Sequence, residues 1–216
     1  MEILELMKQR HSVRQYKDTA VEKSQRTALN HLVEEINRQE GLHIQIFYDE
    51  PKCFDSRMAH YGKFTGVKNY IALVGPKSPG LDETLGYYGE KIVLKLQELG
   101  LNSCWVAMTH GKSKAEVKKG EKKICLISFG YGENQGVPHK SKPLGAVCRE
   151  KPDMPEWFRN GVQAALLAPT AMNQQKFSFE LGPDGKVRAS CGMGFYTKLD
   201  LGIVKYHFEM GSGRKL

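Results

Sequence analysis

Tyr70-Ile71-Ala72-Leu73-Val74, followed by Gly75-Pro76-Lys77-Ser78-Pro79-Gly80, is the stretch that decides the architecture. A short unbroken apolar run ended by a glycine–proline break has the length and composition of a buried strand. Beyond the break, Asp82 can cap a long helix that carries Leu85, Ile92, Leu96 and Leu99 toward a core. Gly86 and Gly89 fall inside that helix. Glycine there costs stability relative to alanine, so the pair marks close approach by another backbone, through plain helix contact or a flat ligand.

The same alternation of strand and helix runs outward in both directions. On the C-terminal side, Gly100 to Met108 turns into a short strand, and Ile124-Cys125-Leu126-Ile127-Ser128-Phe129 is another buried strand that leads into Gly130-Tyr131-Gly132. Lys112 to Lys123 between them reads as a solvated helix or turn. On the N-terminal side, Leu42, Ile44, Ile46 and Tyr48 alternate with His43, Gln45, Phe47 and Asp49 in the period of a half-buried strand, which turns His43 to solvent. Val21 to Arg38 is an amphipathic helix stopped by Gly41, and residues 2–10 form a short helix carrying Ile3, Leu6 and Met7. Residues 51–68 are a loop or short helical cover.

Residues 134–153 contain Gly136, Pro138, Pro143 and Pro152 and read as a connection. The final third opens with Pro155-Glu156-Trp157-Phe158 and continues as a helix rich in alanine and leucine, which Pro169 ends. Phe177 and Phe179 belong to a strand, Pro183 to Lys186 is its turn, and Val187 to Cys191 is the hairpin mate. A last helix carries Leu199, Ile203, Tyr206 and Met210. The fold class is therefore α+β, a central mixed or antiparallel sheet surrounded by helices. Residues 1–216 are expected to form a single domain, with two subregions joined near 134–153.

At 216 residues and 40% hydrophobic, the chain can bury one sizeable core. Its net charge of +8 and pI near 9.2 favour anionic partners: a nucleotide cofactor, an acidic metabolite or nucleic acid. Cys53, Cys104, Cys125, Cys148 and Cys191 are odd in number and widely spaced, which fits reduced thiols in a cytoplasmic protein. Neither a signal-peptide core nor an apolar run of bilayer length is visible, so no membrane partner is expected. His60, His110, His139 and His207 lack metal-ligand spacing, and no metal is expected. The glycine clusters complete neither a triphosphate-binding loop nor a dinucleotide fingerprint, and no serine occupies a nucleophile elbow.

Arg10-His11-Ser12-Val13-Arg14-Gln15-Tyr16 holds two guanidiniums and a hydroxyl within a few residues. If the first helix continues through them, Arg10 and Arg14 share a face, and paired arginine forks suit a phosphate. Taken alone, the segment reads first as an exposed basic helix end whose arginines meet solvent or a neighbouring carboxylate.

Taken with Ala168-Pro169-Thr170-Ala171-Met172-Asn173-Gln174-Gln175, this segment resembles the paired signatures of the nitroreductase family. Those are flavoenzymes that bind FMN and reduce nitroaromatics, quinones or related acceptors with NADH or NADPH. The resemblance extends through Gly100 to Val106 and Gly130-Tyr131. It implies a nitroreductase-like fold, with Arg10 as a ligand of the FMN phosphate, Ser12 at the phosphate or ribityl chain, and Arg14 toward the pyrimidine edge. His11 falls in the same cofactor-binding stretch. Asn173 would bond the flavin or its ribityl chain, with Pro169, Thr170 and Ala171 bringing backbone into reach, and Ala107 and Met108 would offer amides near flavin N5. Arg214 is either a further phosphate contact or a frayed terminal charge.

The chain departs from the commoner layout in three places. The second signature arrives late, at Ala168; Ala107 and Met108 stand where many members have two glycines; and Lys176-Phe177 replaces a tryptophan. The resemblance implies a ping-pong oxidoreductase acting on a small-molecule electron acceptor, without a catalytic acid or base. It implies a homodimer, with a monomer left open by the rearranged order. A non-catalytic flavin sensor or carrier, and a basic nucleic-acid-binding protein resting on Lys112 to Lys123, are the alternatives.

Overall fold

The computed structural model describes residues 2–216. Its elements, in chain order, are α1 (Ile3–Gln9), α2 (Lys23–Glu40), β1 (Gln45–Phe47), α3 (Arg57–Tyr61), β2 (Asn69–Pro76) and α4 (Leu81–Glu98). They continue with β3 (Asn102–Val106), β4 (Glu121–Gly130), α5 (Glu156–Ala165), β5 (Phe177–Leu181), β6 (Val187–Cys191) and α6 (Thr197–Ser212). The chain divides into two compact units. A sheet unit comprises Gln9–Leu81 and Ile92–Pro138; a hairpin unit comprises the chain up to Lys8, Asp82–Lys91 and His139–Leu216. Among the described residues, no helix is long and apolar enough to cross a membrane.

The sheet unit is built on four antiparallel strands in the order β1-β2-β4-β3. β2 is buried from Asn69 to Gly75, as an apolar strand lying between two others must be. Ile71 faces Ile46 of β1 on one side and Ile127 of β4 on the other, and Trp105 of β3 also pairs with Ile127. The Tyr70 ring stacks on Phe47 at 4.8 Å, and its hydroxyl donates to buried Glu50 at 3.2 Å. An aromatic anchor of this kind contributes both area and a satisfied polar tip.

Four local expectations are corrected. The strand expected over 42–48 is only Gln45–Phe47, because the Asn37 carboxamide bonds both the N–H and the C=O of Ile44 at 2.8 Å and takes the place of a ladder partner. His43 is not a solvent-facing strand residue: it precedes β1, and its Nδ1 lies 2.9 Å from Glu121 Oε2. Of the stretch from 112 to 123, residues 119–120 form a turn and 121–123 open β4, while residues 112–118 are neither helix nor turn. Their backbone is fastened in extended form by Tyr70, whose hydroxyl accepts from Lys114 N–H at 2.9 Å, and by Gln45, which bonds both backbone groups of Glu116. Gly80, not Asp82, is the N-cap of α4, and Asp82 lies in its first turn, where a carboxylate suits the helix dipole.

In the hairpin unit, α5, α6 and the antiparallel β5–β6 pair share an aromatic core. Phe179 stacks on Phe208 at 4.6 Å, and Phe158 meets Phe208 edge-on at 5.7 Å. The start of α4 crosses α6 at glycines on both sides. A Cβ on Gly86 would lie 2.1 Å from the Leu199 carbonyl oxygen, and one on Gly202 would lie 1.9 Å from that of Glu83. Plain helix contact is thus the reason for Gly86. The same interface buries Glu90 and His207 completely, with Nε2 2.9 Å from Oε1 and Nδ1 donating to the Ala164 carbonyl at 3.0 Å.

Because the obstacle at Gly86 is backbone, it cannot rotate away. Gly86→Ala should lower stability by about 1–3 kcal/mol, read as a reduced urea midpoint; an unchanged midpoint would contradict this packing account.

Candidate functional site

The first signature lies in the sheet unit, and it is extended rather than helical. α1 stops at Gln9, and the chain then runs alongside β3, with Ser12 bridging Ser103 in parallel and the Val13 N–H donating to the Ser103 carbonyl at 3.0 Å. Gln15 and Tyr16 continue along Thr65 and Gly132. Tyr16 fastens the segment: its ring is buried, and its hydroxyl donates to the Val13 carbonyl at 2.6 Å and lies 3.1 Å from Ser128 Oγ. Burial holds that phenol well above its ordinary titration range.

The expected helical spacing of Arg10 and Arg14 therefore does not exist. In extended chain, alternate residues share a side, and Arg10, Ser12 and Arg14 come together by that period instead. All three act on the Cys104 thiol of β3. Burial raises its pKa, while Arg14, a hydrogen bond with Ser12, and Arg10 draw it down. Arg10 is buried, whereas Arg14 is exposed, its guanidinium 5.9 Å from the Phe64 ring centre. His11 lies off this group. Its Nδ1 donates to the Gln135 carbonyl at 3.1 Å, its Nε2 is buried without a partner among the described residues, and its Cβ closes over Gly136.

Ala107 and Met108 follow directly after β3. Met108 is 68% exposed, and its carbonyl accepts from the His110 N–H at 3.0 Å. Burial lowers the His110 pKa. The sheet unit therefore gathers Arg10, Ser12, Arg14 and the strand that delivers Ala107 and Met108.

The second signature lies in the hairpin unit. α5 ends at Ala165, and past Pro169 the chain makes a single tight turn over Ala171–Asn173. Met172, Asn173 and Gln175 all have left-handed backbone, with φ of 51°, 53° and 46°. Each such non-glycine residue costs roughly 1–2 kcal/mol, so the surroundings must hold the turn. Thr170 Oγ1 accepts from the Gln175 N–H at 3.0 Å. Buried Gln175 donates to the Lys140 carbonyl and to Asn173 Oδ1, both at 2.9 Å, and accepts from the Lys142 N–H at 2.8 Å. Asn173 Nδ2 also donates to Lys140, at 3.0 Å. Its carboxamide is thus engaged within the turn and retains one N–H and one acceptor lone pair.

On the other side of the turn lies Asp200, in the first turn of α6 and 3% exposed. Its Oδ1 accepts from the Ala171 N–H at 2.9 Å and its Oδ2 from Gln174 Nε2 at 2.8 Å. Burial pushes its pKa up to about 6 against the pull of those two donors. Asp200 is the residue supporting this turn that motif reading misses, whereas Gln175 lies within the signature and is given no role by it. The available signal was a lone acid between Leu199 and Leu201 in an apolar helix. Arg214 is not a frayed charge: its guanidinium lies 4.0 Å over the ring of Trp157.

This antiparallel sheet with its added hairpin is the nitroreductase fold. It is similar to a Thermotoga maritima protein described as a "putative nitroreductase", with a TM-score of 0.69 and 22% identity over 98% of this chain and 83% of that one. A nitroreductase family protein of Streptococcus pneumoniae aligns at TM-score 0.54 and 16% identity, over 69% of this chain and 100% of its own. A Desulfovibrio desulfuricans protein of the same description as the first, solved in complex with FMN, aligns at TM-score 0.52 and 18% identity, over 69% and 96%. No curated protein sequence matches the chain. The model of the family described as "Putative TM nitroreductase" matches residues 2–212, and the chain belongs to that family.

Asp200 makes stability depend on pH with a definite sign. Its folded-state value of about 6 exceeds the ordinary 3.8, so between those values the folded chain retains a proton that the unfolded chain releases. Stability from this group is full below about 4 and is lost as pH rises through about 6. In urea titrations, the stability of wild type minus that of Asp200→Asn should fall by on the order of 3 kcal/mol across that window; a constant difference would contradict it.

Proposed function

We propose that the chain is an FMN-dependent oxidoreductase that uses NADH or NADPH to reduce nitroaromatic, quinone or related electron-deficient acceptors in a ping-pong cycle. The observation that carries this reading is the grouping of Arg10, Ser12 and Arg14 along one side of an extended segment beside β3. Two guanidiniums and a hydroxyl form a donor set suited to a phosphate and a carbonyl-rich ring, and the fit of FMN to these residues is chemical as well as familial.

Bound FMN would supply the hydride and electron transfer that links the nicotinamide to the acceptor. Arg10 is buried, so its charge is weakly screened, and it is assigned the phosphate. Ser12 adds a hydroxyl donor beside it. Arg14, the exposed member, is assigned the pyrimidine edge, where a cation favours the more negative form of the ring. The backbone at Ala107 and Met108 is assigned to N5, and the exposed Met108 side chain borders the acceptor's approach. Pro169, Thr170, Ala171 and Asn173 supply further contacts, Asn173 through its remaining N–H and lone pair. Arg214 is held on Trp157, and a phosphate role for it is the less supported assignment. No side chain is assigned as acid or base.

All five cysteines are free thiols, which supports a reducing, cytoplasmic setting. The proposed assembly is a homodimer, and sedimentation at the monomer mass of 24.4 kDa would overturn that part alone.

The purified protein should be yellow, or become so with FMN, and should bleach anaerobically with NADH or NADPH and regain colour with a quinone. Colourless protein that takes up no FMN would count against the reading, and bound flavin without turnover would mark a carrier. Arg10→Ala should weaken FMN binding by at least about tenfold, and unchanged affinity would remove the phosphate role.

A further inference from the structure

The Thr170–Gln175 turn depends on groups outside the family signature. Two of its three left-handed residues, Met172 and Asn173, stand between the two points at which Asp200 grips the chain: the Ala171 N–H before them and the Gln174 carboxamide after them. Gln174 Nε2 has two hydrogens, and both are used. One goes to Asp200 Oδ2 at 2.8 Å and the other to the Phe195 carbonyl at 2.7 Å. The result is a chain of hydrogen bonds from the first turn of α6 through the signature turn to the loop before α6.

Ionised above about pH 6, the carboxylate completes this arrangement by accepting at both oxygens. Asparagine at 200 would present one oxygen and one amide nitrogen. With its oxygen on Ala171, its nitrogen would face Gln174, whose carboxamide could accept from it only by turning over and giving up its bond to the Phe195 carbonyl. The carboxylate is nearly inaccessible to solvent and has no bulk water to substitute for either partner. Burying an acid beneath a strained turn is costly unless both its oxygens are used.

We propose that Asp200 is a positioning residue for the cofactor, which fixes the signature turn through Ala171 and Gln174 in the shape that presents Asn173 to FMN. The proposal rests on the flavin reading given above. Asp200 touches neither cofactor nor acceptor and acts only through the turn.

The full-length protein, its variants Asp200→Asn and Gln174→Ala, and the double variant are titrated with FMN. Binding is followed by flavin fluorescence, and the visible circular dichroism of the bound flavin is recorded at saturation. Loss of one turn hydrogen bond should weaken binding by about fivefold in each single variant. The double variant should be no weaker than Asp200→Asn, since both changes cut one chain. The visible dichroism band should change shape in every variant, a response that general loss of stability would not produce in the bound fraction. If Asp200→Asn fails to fold, Gln174→Ala decides, since it leaves the Ala171 bond in place.

Unchanged affinity and an unchanged band in both single variants would overturn the proposal alone. So would strictly additive effects. Wild-type protein that takes up no FMN would overturn the flavin reading and the proposal together.

Discussion

The crossing of α4 and α6 at Gly86 and Gly202 is the constraint on which the hairpin unit depends. With no side chain at either position, the helices approach until backbone meets backbone, at Leu199 on one side and Glu83 on the other. Leu199 directly precedes Asp200, so the contact that sets the height of α6 also sets the height of the carboxylate. The interface is locked further by Glu90 and His207, both fully buried, with Nδ1 of the imidazole committed to the Ala164 carbonyl at the end of α5. A buried pair of this kind adds little net stability, but loss of either member strands the other. Helix crossing, the buried Glu90–His207 contact and the carboxylate thus converge on the segment from Leu199 to His207.

The sheet unit solves a different problem. A cationic segment must lie against the body without the ladder of a full strand, and isolated bridges at Ser12, Gln15 and Tyr16 suffice because Tyr16 anchors it in the core. The tyrosine hydroxyl folds back onto the Val13 carbonyl and also meets Ser128 of β4, which ties the segment's own backbone to the sheet. Arg10 and Arg14 are thereby held at different depths, one in a poorly screened environment and one at the surface. Under the proposed flavin reading, that difference suits Arg10 to a fixed anionic group and Arg14 to a polar ring edge.

Much of the architecture is legible in the sequence, since it depends on local pattern. The apolar run at Tyr70, the run at Ile124 and the alternation at Phe177 each lie within an observed strand, and the central sheet is antiparallel. What could not be read depends on single side chains acting at a distance. Asn37 caps Ile44 and shortens β1, while Tyr70 and Gln45 hold the lysine-rich segment extended. The first signature shows the same division. Its residues were readable as a group, but the expected helical spacing gives way to the period of extended chain. Asp200 was invisible because its partners lie 29 and 26 residues away.

Three left-handed residues without a glycine among them give the signature turn an unusual thermodynamic position. A glycine at Met172 or Asn173 would relax the backbone, and the relaxed turn would sample many shapes. The chain instead keeps side chains there and enforces one shape from outside, with Gln175 and Lys140 on one flank and Asp200 on the other. The conformational entropy of ordering that loop is then lost when the protein folds, before any ligand arrives. A ligand that meets this turn, as the proposed flavin reading requires, would find an already ordered surface, and its affinity would be limited by the quality of the contacts rather than by the disorder they must overcome.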